Sequence, residues 1–148
     1  MAEQMFFDKQ KSDEVAQSLL GLKFRVGGRG DDGTTDCYGI LCFYYEKFGI
    51  RMPDYSSEEN WKDRGDVYLR EYASIARKLE KDEKPAMGDF ILFKNSEGAT
   101  DHAGVYLGDK RFIHSCGKFG VKIDQLSSGW GKRVYAYFRL KETDFKRG

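Results

Sequence analysis

"DHAGVYLGDKRFIHSC", residues 101–116, decides how the second half of this chain folds. Two short runs rich in β-branched and aromatic residues, "HAGVYLG" (102–108) and "RFIHSC" (111–116), flank the turn pair Gly108–Asp109. That pattern reads as a β-hairpin. Each strand carries one of the chain's two histidines, His102 and His114. Strand faces alternate, so a one-residue change of register moves one histidine to the other side of the sheet. A two-residue turn at Gly108–Asp109 would pair Leu107 with Lys110 and set the histidines on opposite faces. If they act together, the loop is expected to be odd-numbered, most simply three residues with a glycine bulge.

Working outward, "DFILFK" (89–94), "GVKIDQL" (120–126) and "RVYAYFRL" (133–140) have the same strand character. Upstream of Pro85 the period changes. "QKSDEVAQSLL" (10–20) puts Val15, Leu19 and Leu20 on one helical face. Residues 36–48 place Cys37, Leu41, Tyr44 and Phe48 on one stripe, with Asp36 or Thr35 to cap the start and Gly49 to end it. Residues 56–81 read as helix in one or two pieces, broken near Gly65, and "GLKFRVGGRGDDGTT" (21–35) as loop. Helices first and a strand meander after predict an α+β fold: N-terminal helices packed on an antiparallel sheet of about five strands. The 148 residues suit a single domain, 1–148.

A net charge of +1 with interspersed signs argues against nucleic acid, and no run is long enough to insert in a membrane. The first residues lack the apolar core of a secretory signal, so the chain is expected to be made in a cytoplasm without a signal peptide. Three cysteines, Cys37, Cys42 and Cys116, form no CxxC pair and no disulfide framework. No cofactor or metal is expected. Zinc held by Cys37, His102, His114 and Cys116 is a weak alternative, because the spacing matches no usual zinc pattern.

Cys37 opens its helix, where the dipole and first-turn N–H groups favour a thiolate or a developing oxyanion. Cys42, mid-helix, reads as core. A thiol nucleophile needs a base, and His102 and His114 are the histidines available. The bland reading, a core thiol and two hydrogen-bonded histidines, stays open on spacing alone.

"FRVGG" (24–28), "DCYGILCFYYEKFGIRMPDYS" (36–56), "MGDFILF" (87–93), the 101–116 hairpin and "GVKIDQL" together resemble the NlpC/P60 family of cell-wall cysteine peptidases, from about Leu19 to Leu140. The resemblance implies a papain-like α+β core and hydrolysis of amide bonds in peptidoglycan stem peptides. It makes Cys37 the nucleophile, His102 the general base and His114 the residue that orients it. It points to Asp36, Tyr38 and Phe24 as substrate-binding positions. Tyr38 stands where the family often has Ser, and Phe24 where it often has Tyr, which leaves cleavage specificity open. "DCYG" and "GIRMPDYS" look most like the phage-tail and prophage branch, implying tail-tip or hub proteins as partners and a virion-tail location. The alternatives are a tail-tip structural or assembly module with vestigial activity, and an amidase or acyltransferase on another substrate.

Overall fold

The computed structural model describes residues 7–25, 33–50, 75–98 and 100–141. Helix α1 spans Lys9–Leu19, and helix α2 spans Cys37–Glu46. Among the described residues, eight strands accompany them: β1 (Lys23–Phe24), β2 (Thr34–Thr35), β3 (Ala76–Lys78), β4 (Phe90–Lys94), β5 (Thr100–Gly108), β6 (Arg111–Cys116), β7 (Gly120–Gln125) and β8 (Val134–Leu140). The last six form one antiparallel sheet in the order β3-β8-β4-β5-β6-β7. The fold is α+β as expected, with six strands rather than about five.

Four expectations need correction. The meander holds for β4 to β7, but β8 returns to the far side of β4 and does not extend the row. The β4 backbone offers a second edge there, and pairing fills it. Of the expected helix 56–81, residues up to 74 lie outside the described part, and its end is strand β3, paired with β8 through Ala76–Leu140. Within the glycine-rich 21–35 stretch, β1 and β2 pair in parallel, Lys23 with Thr34 and Phe24 with Thr35.

The hairpin solves its parity problem differently from the expectation. Gly108 pairs with Arg111 across a two-residue turn, Asp109–Lys110. Both turn residues have positive φ, 53° and 63°, the geometry that matches strand twist in tight hairpins. The register then shifts between Tyr106 and Gly108, so that Tyr106 pairs with Phe112. Leu107 is the extra residue of a bulge. Its insertion puts His102, Gly104 and His114 on one face. The shared face is as expected; the three-residue loop is replaced by a two-residue turn plus a bulge.

The α2 stripe is buried as the spacing requires: Cys37, Leu41, Tyr44 and Phe48 all lie in the core between helices and sheet. Gly49, at φ 80°, closes the turn after the helix, where Ile50 N–H bonds the Tyr45 carbonyl at 3.0 Å. A second cluster, Ile91, Phe93, Tyr106 and Phe112, is covered by Leu126, Trp130, Val134 and Tyr137. With both faces covered, β4 reads as a continuous apolar run. Just before that strand, Arg139 grips Asp89 through two 2.8 Å bonds, and both residues are buried.

Candidate active site

The N-terminus of α2 is built by Asp36. Its backbone is extended, and its carboxylate accepts the Gly39 N–H at 2.7 Å. Such a cap contributes about 1 kcal/mol and fixes where the helix begins. Cys37 is therefore the first helical residue, at the positive end of the dipole, and it is buried. Thr35, two residues earlier, is bolted to β6: its carbonyl accepts from Ser115 Oγ at 2.8 Å. Ser115 adjoins His114, so one buried bond ties the approach to Cys37 to the histidine strand. Helix α2 also packs on β5 and β6, and Cys37 shares a core cluster with Ala103, the neighbour of His102.

On the hairpin, His102 Nε2 lies 2.7 Å from His114 Nδ1. His114 Nε2 lies 2.8 Å from Asp124 Oδ2. Asp124 follows from the sheet register. His114 pairs with Lys122 and Phe112 with Asp124, so Asp124 is the diagonal neighbour of His114 on the same face. Gly104 supplies the room: a Cβ there would sit 2.9 Å from the Ile113 carbonyl and 3.3 Å from His114 Cβ. That contact gives a physical reason for glycine two residues after His102.

The chain of bonds fixes protons. A carboxylate only accepts, so His114 must donate through Nε2. Neutral His114 then accepts at Nδ1, and His102 donates through Nε2. His102 is left with its lone pair on Nδ1. Trp130 stacks on His102 at 5.2 Å and 28°, meets His114 edge-on at 4.7 Å, and carries the Arg133 guanidinium over its own ring at 4.7 Å. Burial, then the charge that a protonated His114 would carry, then Arg133, push the His102 pKa down to about 3. Burial likewise lowers His114, against the opposing pull of Asp124. Both rings rest neutral, and His102 Nδ1 keeps a lone pair able to accept a proton.

The contacts described bring together His102, His114 and Asp124. For Cys37 they fix the helix start, not a contact with His102. Asp36 is buried as the cap. The side chain of Tyr38 lies outside the described part. Phe24 lines a groove with Leu22, Lys23, Phe119 and Val121, just beyond the end of β6. Asp124 and Trp130 were missed from sequence. Asp124 had a usable signal, the alternation of "GVKID" with Gly120 and Lys122 on its face, but needed the β6–β7 register to be read. Trp130 sits in a 3₁₀ turn, Trp130–Arg133, where no period reveals it.

The description "NlpC/P60 family" matches residues 21–139. A probable endopeptidase p60 of Listeria welshimeri is 33% identical over 126 residues, covering 84% of this chain and 21% of that protein. The tail tip assembly protein K of Escherichia phage lambda is 27% identical, covering 77% of this chain and 58% of that protein. This chain thus spans only part of the length of these relatives. A solved NLP/P60-family structure from Staphylococcus aureus, similar to lipoprotein, has TM-score 0.65 at 23% identity, covering 89% of this chain and 41% of that one. Among the described residues, no helix is long and apolar enough to cross a membrane.

Proposed function

We propose that this chain, which belongs to the NlpC/P60 family of peptidoglycan endopeptidases, is a cysteine peptidase acting on amide bonds of peptidoglycan stem peptides. Cys37 is its nucleophile, His102 its general base and His114 the group that orients the base. The observation that carries this reading is the hydrogen-bonded run Asp124–His114–His102. It leaves one nitrogen of His102, Nδ1, with a lone pair to receive a thiol proton. A structural histidine pair has no need of a third group that fixes both tautomers.

In this reaction His102 Nδ1 takes the Cys37 proton as Sγ attacks the amide carbonyl carbon. The tetrahedral oxyanion forms near the N-terminus of α2, where the dipole favours negative charge. His102 then gives its proton to the leaving amine, and a thioester remains. Water, deprotonated by His102, attacks the thioester carbon; a carboxylate leaves and the thiol is restored. His114 and Asp124 hold His102 in one orientation through both half-reactions.

Mass spectrometry of defined muropeptides tests this. Wild type is expected to cleave one stem-peptide bond, and Cys37→Ala none. His102→Ala should lower kcat/KM by roughly 10²–10⁴, and His114→Ala by less, since it acts through His102. Equal cleavage by wild type and Cys37→Ala would reject the mechanism.

The lambda relative favours a setting for this chemistry. On its likeness to a tail tip assembly protein, we infer delivery on a phage-type tail, where tethering raises the local concentration at the wall. Mass spectrometry of purified virions should find the chain. The same likeness favours a second reading, a tail-tip assembly module. In that case Cys37→Ala would abolish cleavage, if any, and leave infectivity unchanged.

A further inference from the structure

We infer a binding site for a thiophilic divalent cation of the zinc class at His114, Cys116 and Asp124, one that opposes the base function of His102. The consequence for hydrolysis rests on the function proposed above; the metal binding does not. The ligand atoms of the three residues all lie within 4.8 Å of one another. His114 and Cys116 are two apart on β6 and so share a face. Asp124 comes from the adjacent strand on that face, and Cys116 pairs with Gly120, which has no side chain to crowd the sulfur.

Two sides of the triangle are close to a metal's requirement. Tetrahedral zinc with nitrogen and oxygen at about 2.0 Å and sulfur at about 2.3 Å needs about 3.3 Å between N and O and about 3.5 Å between N and S. Here His114 Nε2 is 2.8 Å from Asp124 Oδ2 and 3.9 Å from Cys116 Sγ. These two sides need adjustments of about half an ångström; the third, from the Asp124 carboxylate to Cys116 Sγ, lies within 4.8 Å and closes towards about 3.5 Å when both bind one ion. One imidazole, one thiolate and one carboxylate make a donor set suited to zinc, with a fourth position for water. Cys116 and Asp124 are partly exposed, which gives the ion a path in. The cation would displace the Lys122 ammonium, now 3.5 Å from the carboxylate.

Occupancy reverses the tautomers. Neutral His114 bound to a metal through Nε2 carries its proton on Nδ1. It then donates to His102 Nε2, 2.7 Å away. His102 must accept there and hold its proton on Nδ1, the nitrogen the Cys37 thiol needs. An imidazolium at His102 is opposed too, because two N–H groups would face each other. The protons balance. The Cys116 and His114 Nε2 protons leave, the His102 Nε2 proton crosses to His114 Nδ1, and one proton is taken up at His102 Nδ1. In net, one is released to solvent.

Titration of the full chain with Zn²⁺ alone tests the site, by calorimetry and by ¹⁵N NMR of the histidine rings. Wild type and Cys37→Ala should bind one ion with equal affinity, and both rings should move from the Nε2–H to the Nδ1–H form. Cys116→Ser and Cys116→Ala should bind at least tenfold more weakly. In the muropeptide assay, Zn²⁺ should suppress wild-type cleavage at least tenfold, reversibly with chelator. The Cys116 variants should keep their basal rate and need at least tenfold more zinc. Zinc affinity that follows Cys37 instead of Cys116, or no binding at all, would overturn the site. Binding as expected with equal inhibition of wild type and Cys116→Ser would overturn the coupling. If no chain cleaves any muropeptide, the catalytic reading fails, while binding and tautomer shift still decide the metal site.

Discussion

Trp130 lies nearly parallel to the His102 ring at 5.2 Å and edge-on to His114 at 4.7 Å, so a large apolar body stands where water would otherwise solvate either imidazolium. Burial is the leading cause of the low His102 pKa, and Trp130 is part of what buries it. Trp130→Ala should therefore raise that pKa towards the ordinary value of about 6.5. Since the neutral ring is the base in the proposed mechanism, the acid limb of kcat/KM should move to higher pH in the variant. A full pH profile of both proteins checks this, and an unmoved limb would assign the desolvation elsewhere. The residues of this site were unequally legible. The helix start at Cys37 was readable because a helix N-terminus has a local signature. His102 and His114 were readable as a pair because the chain has no other histidine. Asp124 and Trp130 act through a strand diagonal and a 3₁₀ turn, and neither contact is written in local sequence.

At the scale of elements, what was legible was what is local. The α2 stripe and the strand runs of β4 to β8 came from periodicity, within a residue or two of their observed limits. What escaped depends on partners far along the chain. The side of β4 on which β8 docks is decided by which edge is open. Strand β3 exists because β8 then offers it an edge. The Leu107 bulge is forced by burial on both faces, since the alternative register would turn His114 and Phe112 over together. The closure of β8 also explains the buried ion pair. Asp89, in the turn before β4, meets Arg139 on β8, with Asp89 also accepting the Ala86 N–H at 2.7 Å. Removing one partner strands the other's charge in the interior. Asp89→Ala should destabilise the fold by about 3–5 kcal/mol, measured by urea denaturation. Glu83 touches the same arginine at 3.2 Å from the surface side, and Glu83→Ala should cost measurably less. Equal effects would show that the buried contact is not what holds β8 to the turn.

The whole molecule carries its two histidines neutral inside a folded sheet, and this sets how it responds to acid. In the unfolded chain each imidazole takes a proton near pH 6.5. In the folded state both pKa values are lowered, His102 to about 3. Between these limits the unfolded state binds more protons than the native state, so stability rises with pH across the window and falls as pH drops through it. The loss should begin just below pH 6.5. That is well above the ordinary carboxylate range, where the rest of acid denaturation begins, and far above Glu83, which its arginine partners hold at about 2. Urea midpoints measured from pH 7.5 down to 4.5 should decline steadily from about pH 6.5. His102→Asn, which keeps a polar side chain but no titration, should flatten part of that slope while lowering the plateau at pH 7.5. A wild-type midpoint constant from pH 7.5 to 5.5, or an unchanged slope in His102→Asn, would mean that the buried pair takes up protons without opposing the fold. On the proposed mechanism the same ring titrates for stability and for catalysis. Activity in the folded enzyme should therefore persist to a lower pH than an ordinary histidine base allows, until unfolding rather than protonation of His102 ends it.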